Sequence, residues 1–268
     1  MIIRTEGSGR PLVALHGFGL DHRVMLPLEH MVGDAPWRRV YVDLPWTAAA
    51  RRAAVDAGST RVPTSTLEVA RGVVAELRDA LGDEPFAIVG NSFGGMVARY
   101  VAHELRDQVL GLATFAGVVE AEHAARTVPE RTVLRVDQSV LDRAGDARDD
   151  FVANSVVQDA ATFDAFVAGV LPGLRGADQA VLDAVAEDYA LPVEPEAAHP
   201  EPFTAPTLHL FGRQDEVVGY EDGLALRDHY PRGSFVVLDT AGHNVHLEQP
   251  TVTAALVRDW LARMDATA

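Results

Sequence analysis

The 268-residue chain is 48% apolar and 23% charged, a balance that excludes a disordered protein and suits one large α/β domain with an insertion. Its formal charge of -16 argues against nucleic acid as a partner, because that affinity rests on Lys and Arg displacing counterions from phosphates. It contains no Cys, which removes disulfides, thiolate metal sites and a Cys nucleophile together. No basic segment followed by an apolar stretch opens the chain, and no run of about 18 apolar residues occurs. The expectation is a cytoplasmic protein with a small-molecule substrate and no membrane partner, and a homodimer stays open.

Short apolar runs at 12–15, 40–43, 86–89 and 109–115 read as strands, and so do 207–211 and 235–238 near the end of the chain. Each is apolar on both faces, as expected of parallel strands covered by helices on either side. Residues 64–81 place Leu67, Val69, Ala70, Val73, Val74, Leu77 and Leu81 at helical spacing, with Gly82 as a stop. Residues 250–264 do likewise through Val252, Leu256, Val257, Trp260 and Leu261. Strands alternating with helices predict a mostly parallel, doubly wound sheet. The rhythm breaks between about 118 and 205, where the helical patterns 149–157, 160–171 and 179–189 occur without a clear strand. The expected organisation is a core of 1–117 and 206–268 with a helical insertion at 118–205. Five prolines between 192 and 206 suit a stiff strap returning to the sheet.

The run 86–89 leads into Gly90-Asn91-Ser92-Phe93-Gly94-Gly95 and then a helical pattern through Met96, Val97 and Tyr100. Strand, tight turn and helix form the context of a nucleophile elbow, in which a strained turn presents a Ser hydroxyl at a helix N-terminus. A Ser capping an ordinary helix gives the same short pattern, so the rest of the constellation decides. An unactivated Ser is a weak nucleophile and needs a His base oriented by a carboxylate, in the order Ser, Asp or Glu, His. His243, in Thr240-Ala241-Gly242-His243 after the strand 235–238, is the candidate base, and the nearby His246 reads as a surface-loop residue. Asp215, just beyond the strand 207–211, is the candidate acid, because sites in open parallel sheets form at the carboxyl ends of strands. Glu216, Asp222, Glu120 and Glu122 are the alternatives. After the strand 12–15, Leu15-His16-Gly17-Phe18-Gly19 lets the backbone turn and aim the Phe18 N–H inward, where it would form an oxyanion hole with the Phe93 N–H. His16 is read as bracing that turn by hydrogen bonds. None of these motifs calls for a metal or a cofactor.

In this order the four motifs resemble the α/β-hydrolase superfamily, in its group with a helical cap inserted after the sixth strand. The resemblance covers nearly the whole chain outside 118–205, and it implies a serine hydrolase acting on an ester or lactone. Gly90-Asn91-Ser92-Phe93-Gly94-Gly95 is also similar to the elbow of hydrolases that cleave carbon-carbon bonds in ring-fission products of aromatic degradation. The chain departs from those enzymes where it has Asn244 after His243 and the short His16-Gly17-Phe18-Gly19 loop. Carbon-carbon cleavage or a cofactor-free lyase on the same triad is therefore the alternative reaction, and a ligand-binding sensor is the alternative class. Asn91 is read either as a pocket residue or as a hydrogen-bonding residue beneath the elbow. Trp46, in the unusual run Asp43-Leu44-Pro45-Trp46, either lines the pocket or covers the core.

Overall fold

The computed structural model describes residues 1–58 and 61–265; of the expected core, 59, 60 and 266–268 lie outside the described residues. In chain order the strands are β1 (Ile2–Glu6), β2 (Arg10–Leu15), β3 (Trp37–Val42), β4 (Phe86–Asn91), β5 (Val109–Phe115), the two-residue β6 (Arg135–Val136) and β7 (Val157–Gln158), then β8 (Thr207–Gly212) and β9 (Gly233–Leu238). Seven of them form one sheet in the order β1-β3-β2-β4-β5-β8-β9, parallel throughout except for β1, which runs antiparallel to β3. Every residue of β4 and β8 is buried. Because successive side chains point to opposite faces, both faces of the sheet centre are covered. The expectation of strands apolar on both faces fails at the edge, where β9 is only half-buried along its length.

The helix Thr66–Leu81 begins where Ser65 Oγ accepts the Glu68 amide at 3.1 Å and ends at Gly82, whose φ of 56° suits a residue without a Cβ. Its buried stripe includes Val69, Val73 and Leu77; each such side chain contributes about 1.5–3 kcal/mol when removed from water. That stripe packs on the helix Phe93–Glu104. The terminal helix Pro250–Asp265 buries Ala254, Val257, Trp260, Leu261 and Met264, while Val252, expected on the same face, is exposed.

Between β5 and β8 the chain forms the helices Gln138–Arg143, Arg148–Asn154, Ala160–Gly169, Leu171–Gly176 and Gln179–Glu187. One short parallel pairing, β6 with β7, joins them, so the segment is not wholly helical. Among the described residues the segment follows β5, the fifth strand in chain order. Its two ends meet at Arg99, which is fully buried on the helix Phe93–Glu104. The guanidinium donates to Val118 O at 3.0 Å where the segment leaves the core, and to Glu194 at 3.0 Å and Glu196 at 2.8 Å where the proline-rich strap returns. Burial raises the Glu196 pKa, but Arg99 and the Tyr230 hydroxyl outweigh it and hold that carboxyl at about 2. The strap is therefore clamped by an ion pair as well as stiffened by proline.

Candidate active site

Strand order reverses direction between β2 and β4, which lie side by side with Leu15 opposite Gly90. Such a switch point opens a crevice at the carboxyl ends of the strands, and the loops after β2, β4, β8 and β9 all emerge there. Ser92 follows β4 directly, with φ 53° and ψ -119°, a conformation that L-residues rarely adopt. Ala116 after β5 and Thr240 after β9 are the other non-Gly residues with positive φ among the described residues. Backbone strain thus collects at this end of the sheet, at a cost on the order of 1–3 kcal/mol per residue. The turn closes tightly enough that a Cβ on Gly90 would lie 2.1 Å from Gly94 O, and one on Gly94 would lie 2.5 Å from His16 O. Only glycine fits at either position.

The structure brings Ser92, His243 and Asp215 into one hydrogen-bonded line. Ser92 Oγ lies 2.9 Å from His243 Nε2, and His243 Nδ1 lies 3.0 Å from Asp215 Oδ2. Asp215 is fully buried; its other oxygen, Oδ1, accepts the Val217 and Val218 amides at 2.9 and 3.1 Å. Two amides on Oδ1 leave Oδ2 for the imidazole, so Nδ1–H donates and the Nε2 lone pair faces the Ser92 hydroxyl. The alternative acids are elsewhere: Glu216 pairs with Arg131, and Asp222 accepts the Thr127 amide. Glu120 and Glu122 lie on the outer part of the loop after β5, half-buried and exposed respectively.

Phe93 is the first residue of its helix, where N–H groups have no intrahelical acceptor. No hydrogen bond is made by the Phe18 amide among the described residues. His16 braces the loop between them: Nε2 accepts the Leu44 amide at 2.9 Å and Nδ1 lies 2.9 Å from Gly17 O. Since the Leu44 amide can only donate, the proton of His16 sits on Nδ1. Burial keeps the ring neutral by lowering its pKa, against the pull of Asp43. Trp46 is fully buried, donates to Leu20 O at 2.9 Å, and meets Phe18 and Phe93 edge-on at 5.1 and 5.4 Å. Asn91 Nδ2 donates to Phe115 O at 3.1 Å, while Oδ1 has no partner and lies where a Cβ on Gly17 would be 3.1 Å away. Neither Trp46 nor Asn91 borders the cavity above Ser92; both lie in the layer beneath it.

A family model described as "alpha/beta hydrolase fold" matches residues 11–250. The chain belongs to the α/β-hydrolase fold family. Over 99% of its length it is 27% identical to the 2-hydroxymuconate semialdehyde hydrolase of Pseudomonas sp. (strain CF600), of which it covers 92%. It is also similar to an alpha/beta superfamily hydrolase from Oenococcus oeni PSU-1, with TM-score 0.89, 24% identity and coverage of 98% of this chain and 95% of that one. A thermophilic esterase from Thermogutta terrifontis superposes with TM-score 0.65 and 22% identity over 97% of this chain and 92% of that one.

In this α/β hydrolase, Ser92 and His243 border a cavity of about 260 Å³ with apolar walls that include Phe18, Leu20, Val118, Val170, Leu174 and Val217. A roomier hollow of about 520 Å³ lies beside Arg51, Arg61 and Gly72, away from these groups. Arg126 and Glu248, which no sequence motif marks, border or support the site. Arg126 lines the cavity. Glu248 is buried and accepts the amide of Gly242, next to His243, at 2.6 Å. His246 is not on the surface but buried, stacked on Phe115 at 5.4 Å with Nε2 2.9 Å from Val24 O. Among the described residues no group of three or more His, Cys, Asp or Glu is placed to hold a metal, and no helix is long and apolar enough to cross a membrane.

Proposed function

We propose that the chain is a serine hydrolase that cleaves a small, partly apolar ester or lactone through an acyl-enzyme on Ser92. The observation that carries this reading is the line Ser92 Oγ, His243 and Asp215 Oδ2, with steps of 2.9 and 3.0 Å, at the wall of an apolar cavity. Ser92 Oγ attacks the carbonyl carbon as His243 Nε2 takes its proton, and Asp215 stabilises the imidazolium. The carbonyl oxygen gains charge next to the Phe18 and Phe93 amides; each such donor contributes on the order of 10²–10³ in rate. His243 then protonates the leaving alkoxide, and water repeats the sequence to release the acid. Residues 118–205 act as a cap over this cavity, supplying Val170, Leu174 and Tyr189 to its walls.

A fluorophosphonate probe is expected to label the folded protein at Ser92 and to leave Ser92→Ala unlabelled. A folded wild type that resists the probe and hydrolyses no ester would overturn the reading and favour a binding protein.

A second reading, hydrolysis of carbon-carbon bonds in vinylogous diketones, draws support from the name of the Pseudomonas relative and from Asn91 beside Ser92. Parallel assays of p-nitrophenyl esters and vinylogous diketones separate the two. Clear ester turnover with none of the diketones would sink the second.

A further inference from the structure

We infer that Arg126 is the anchor for an anionic group, so that the preferred substrate is an ester or lactone carrying a carboxylate a few bonds from the scissile carbonyl. This names the substrate class of the same site and rests on the reading of Ser92 as its nucleophile. Arg126 borders the cavity that Ser92 and His243 border, and none of the residues lining it is acidic. Nε donates to Glu120 O at 2.8 Å, Nη1 to Val217 O at 3.0 Å and Nη2 to Ala121 O at 3.1 Å. Three carbonyls fix the guanidinium but cancel none of its charge, and Arg126 makes no ion pair with a carboxylate among the described residues. Those bonds use three of the five N–H groups and the Tyr189 phenol engages another, which leaves one for a ligand. Tyr189, on the same cavity wall, feels the cation: burial raises its phenol pKa, and Arg126 pulls it the other way.

A permanent cation beside apolar walls, in a chain of net charge -16, selects for a small ligand with one apolar portion and one anionic end. Scale fixes the spacing. A sphere of 260 Å³ is about 8 Å across, so a ligand held at Arg126 has only a short chain between its carboxylate and a carbonyl at Ser92.

The blander role for Arg126 is a staple, since it joins the loop after β5 to the loop after Asp215. The test separates the two. We compare 4-nitrophenyl hydrogen glutarate, which has a free carboxylate, with neutral 4-nitrophenyl valerate of the same acyl length. The wild type is expected to favour the glutarate in kcat/KM, and Arg126→Gln is expected to lower the glutarate-to-valerate ratio by about 10- to 100-fold. Equal losses on both esters would overturn the proposal and leave the staple.

Calorimetric titration of Ser92→Ala with monomethyl glutarate and methyl valerate needs no change at Arg126 and no turnover. Binding of the anion at least tenfold tighter supports the anchor even if Arg126→Gln fails to fold, and equal or weaker binding of the anion overturns it. Selective binding without any ester turnover by the wild type would refute the serine-hydrolase reading while leaving the anion site in place.

Discussion

Glu248 binds the Gly242 amide at 2.6 Å with one carboxylate oxygen and the Val156 and Val157 amides at 2.8 and 3.1 Å with the other. The loop that carries His243 is thereby fastened to the start of β7 in the inserted segment. Asn244 adds a second tie, donating to Asn154 O at 3.1 Å. Three amides meet three acceptor sites on a buried carboxylate, an arrangement that a neutral amide side chain cannot reproduce. In Glu248→Gln one N–H faces another, and the unmet donors cost about 1–3 kcal/mol. We expect lower stability in urea denaturation and a fall in kcat larger than any rise in KM. Unchanged stability and unchanged kcat would show that the tie does not position His243.

Asp215 separates its two oxygens by task, and that division makes a sharp prediction for Asp215→Asn. The amide oxygen can still accept from Val217 and Val218, so the fold should hold, but the NH2 group then faces His243 Nδ1. The imidazole is forced into the tautomer with its proton on Nε2, which cannot accept from Ser92. The expected loss in kcat is on the order of 10⁴, with a melting temperature near that of the wild type. A loss below tenfold would contradict the orientation described for His243.

Burial of three histidines sets an acid limit on stability. Desolvation lowers the pKa of His103 and His246 to about 4 and of His209 to about 3, from an ordinary 6.5. Between those values and 6.5 the unfolded chain binds protons that the folded chain refuses, so stability is lost as pH falls from about 7 towards 4. Each histidine contributes at most about 1.4 kcal/mol per pH unit. Glu194 and Glu248 act in the opposite sense, since burial raises their pKa and their contribution is lost as pH rises through the raised value, but they are two carboxyls against five histidines, because burial lowers the pKa of His16 and His229 as well. Urea unfolding at pH 7 and pH 5 should show the protein weaker at pH 5; equal or greater stability there would show that the buried histidines do not set the acid limit.

How far the sequence reached follows from where each residue gets its environment. Ser92, Phe18, Asp215 and His243 lie one to five residues beyond the ends of β4, β2, β8 and β9, so a local pattern of apolar run and turn marks them as candidates. Arg99, Arg126 and Glu248 owe their roles to segments far away in the chain, and no local pattern marks an Arg or Glu as buried or cavity-facing. His246 departs from the surface-loop expectation for the same reason: one turn of helix, Val245–Glu248, carries it against Phe115 and away from solvent. β1 escaped notice because its residues are half-buried or exposed, as befits an antiparallel edge strand. β6 and β7 are two residues each, too short to leave a periodicity. Trp46 shows the limit of reading aromatic residues, since only packing placed it beneath Phe18 and Phe93 and not on the cavity wall.

In the proposed reaction Ser92, activated by His243, attacks the substrate carbonyl. Rapid mixing with an activated ester followed by acid quench and peptide mass spectrometry tests it most directly. An acyl group is expected on the peptide containing Ser92 within one turnover, and none on Ser92→Ala. Ester hydrolysis by the wild type with no acylated peptide, or full activity in Ser92→Ala, would contradict it.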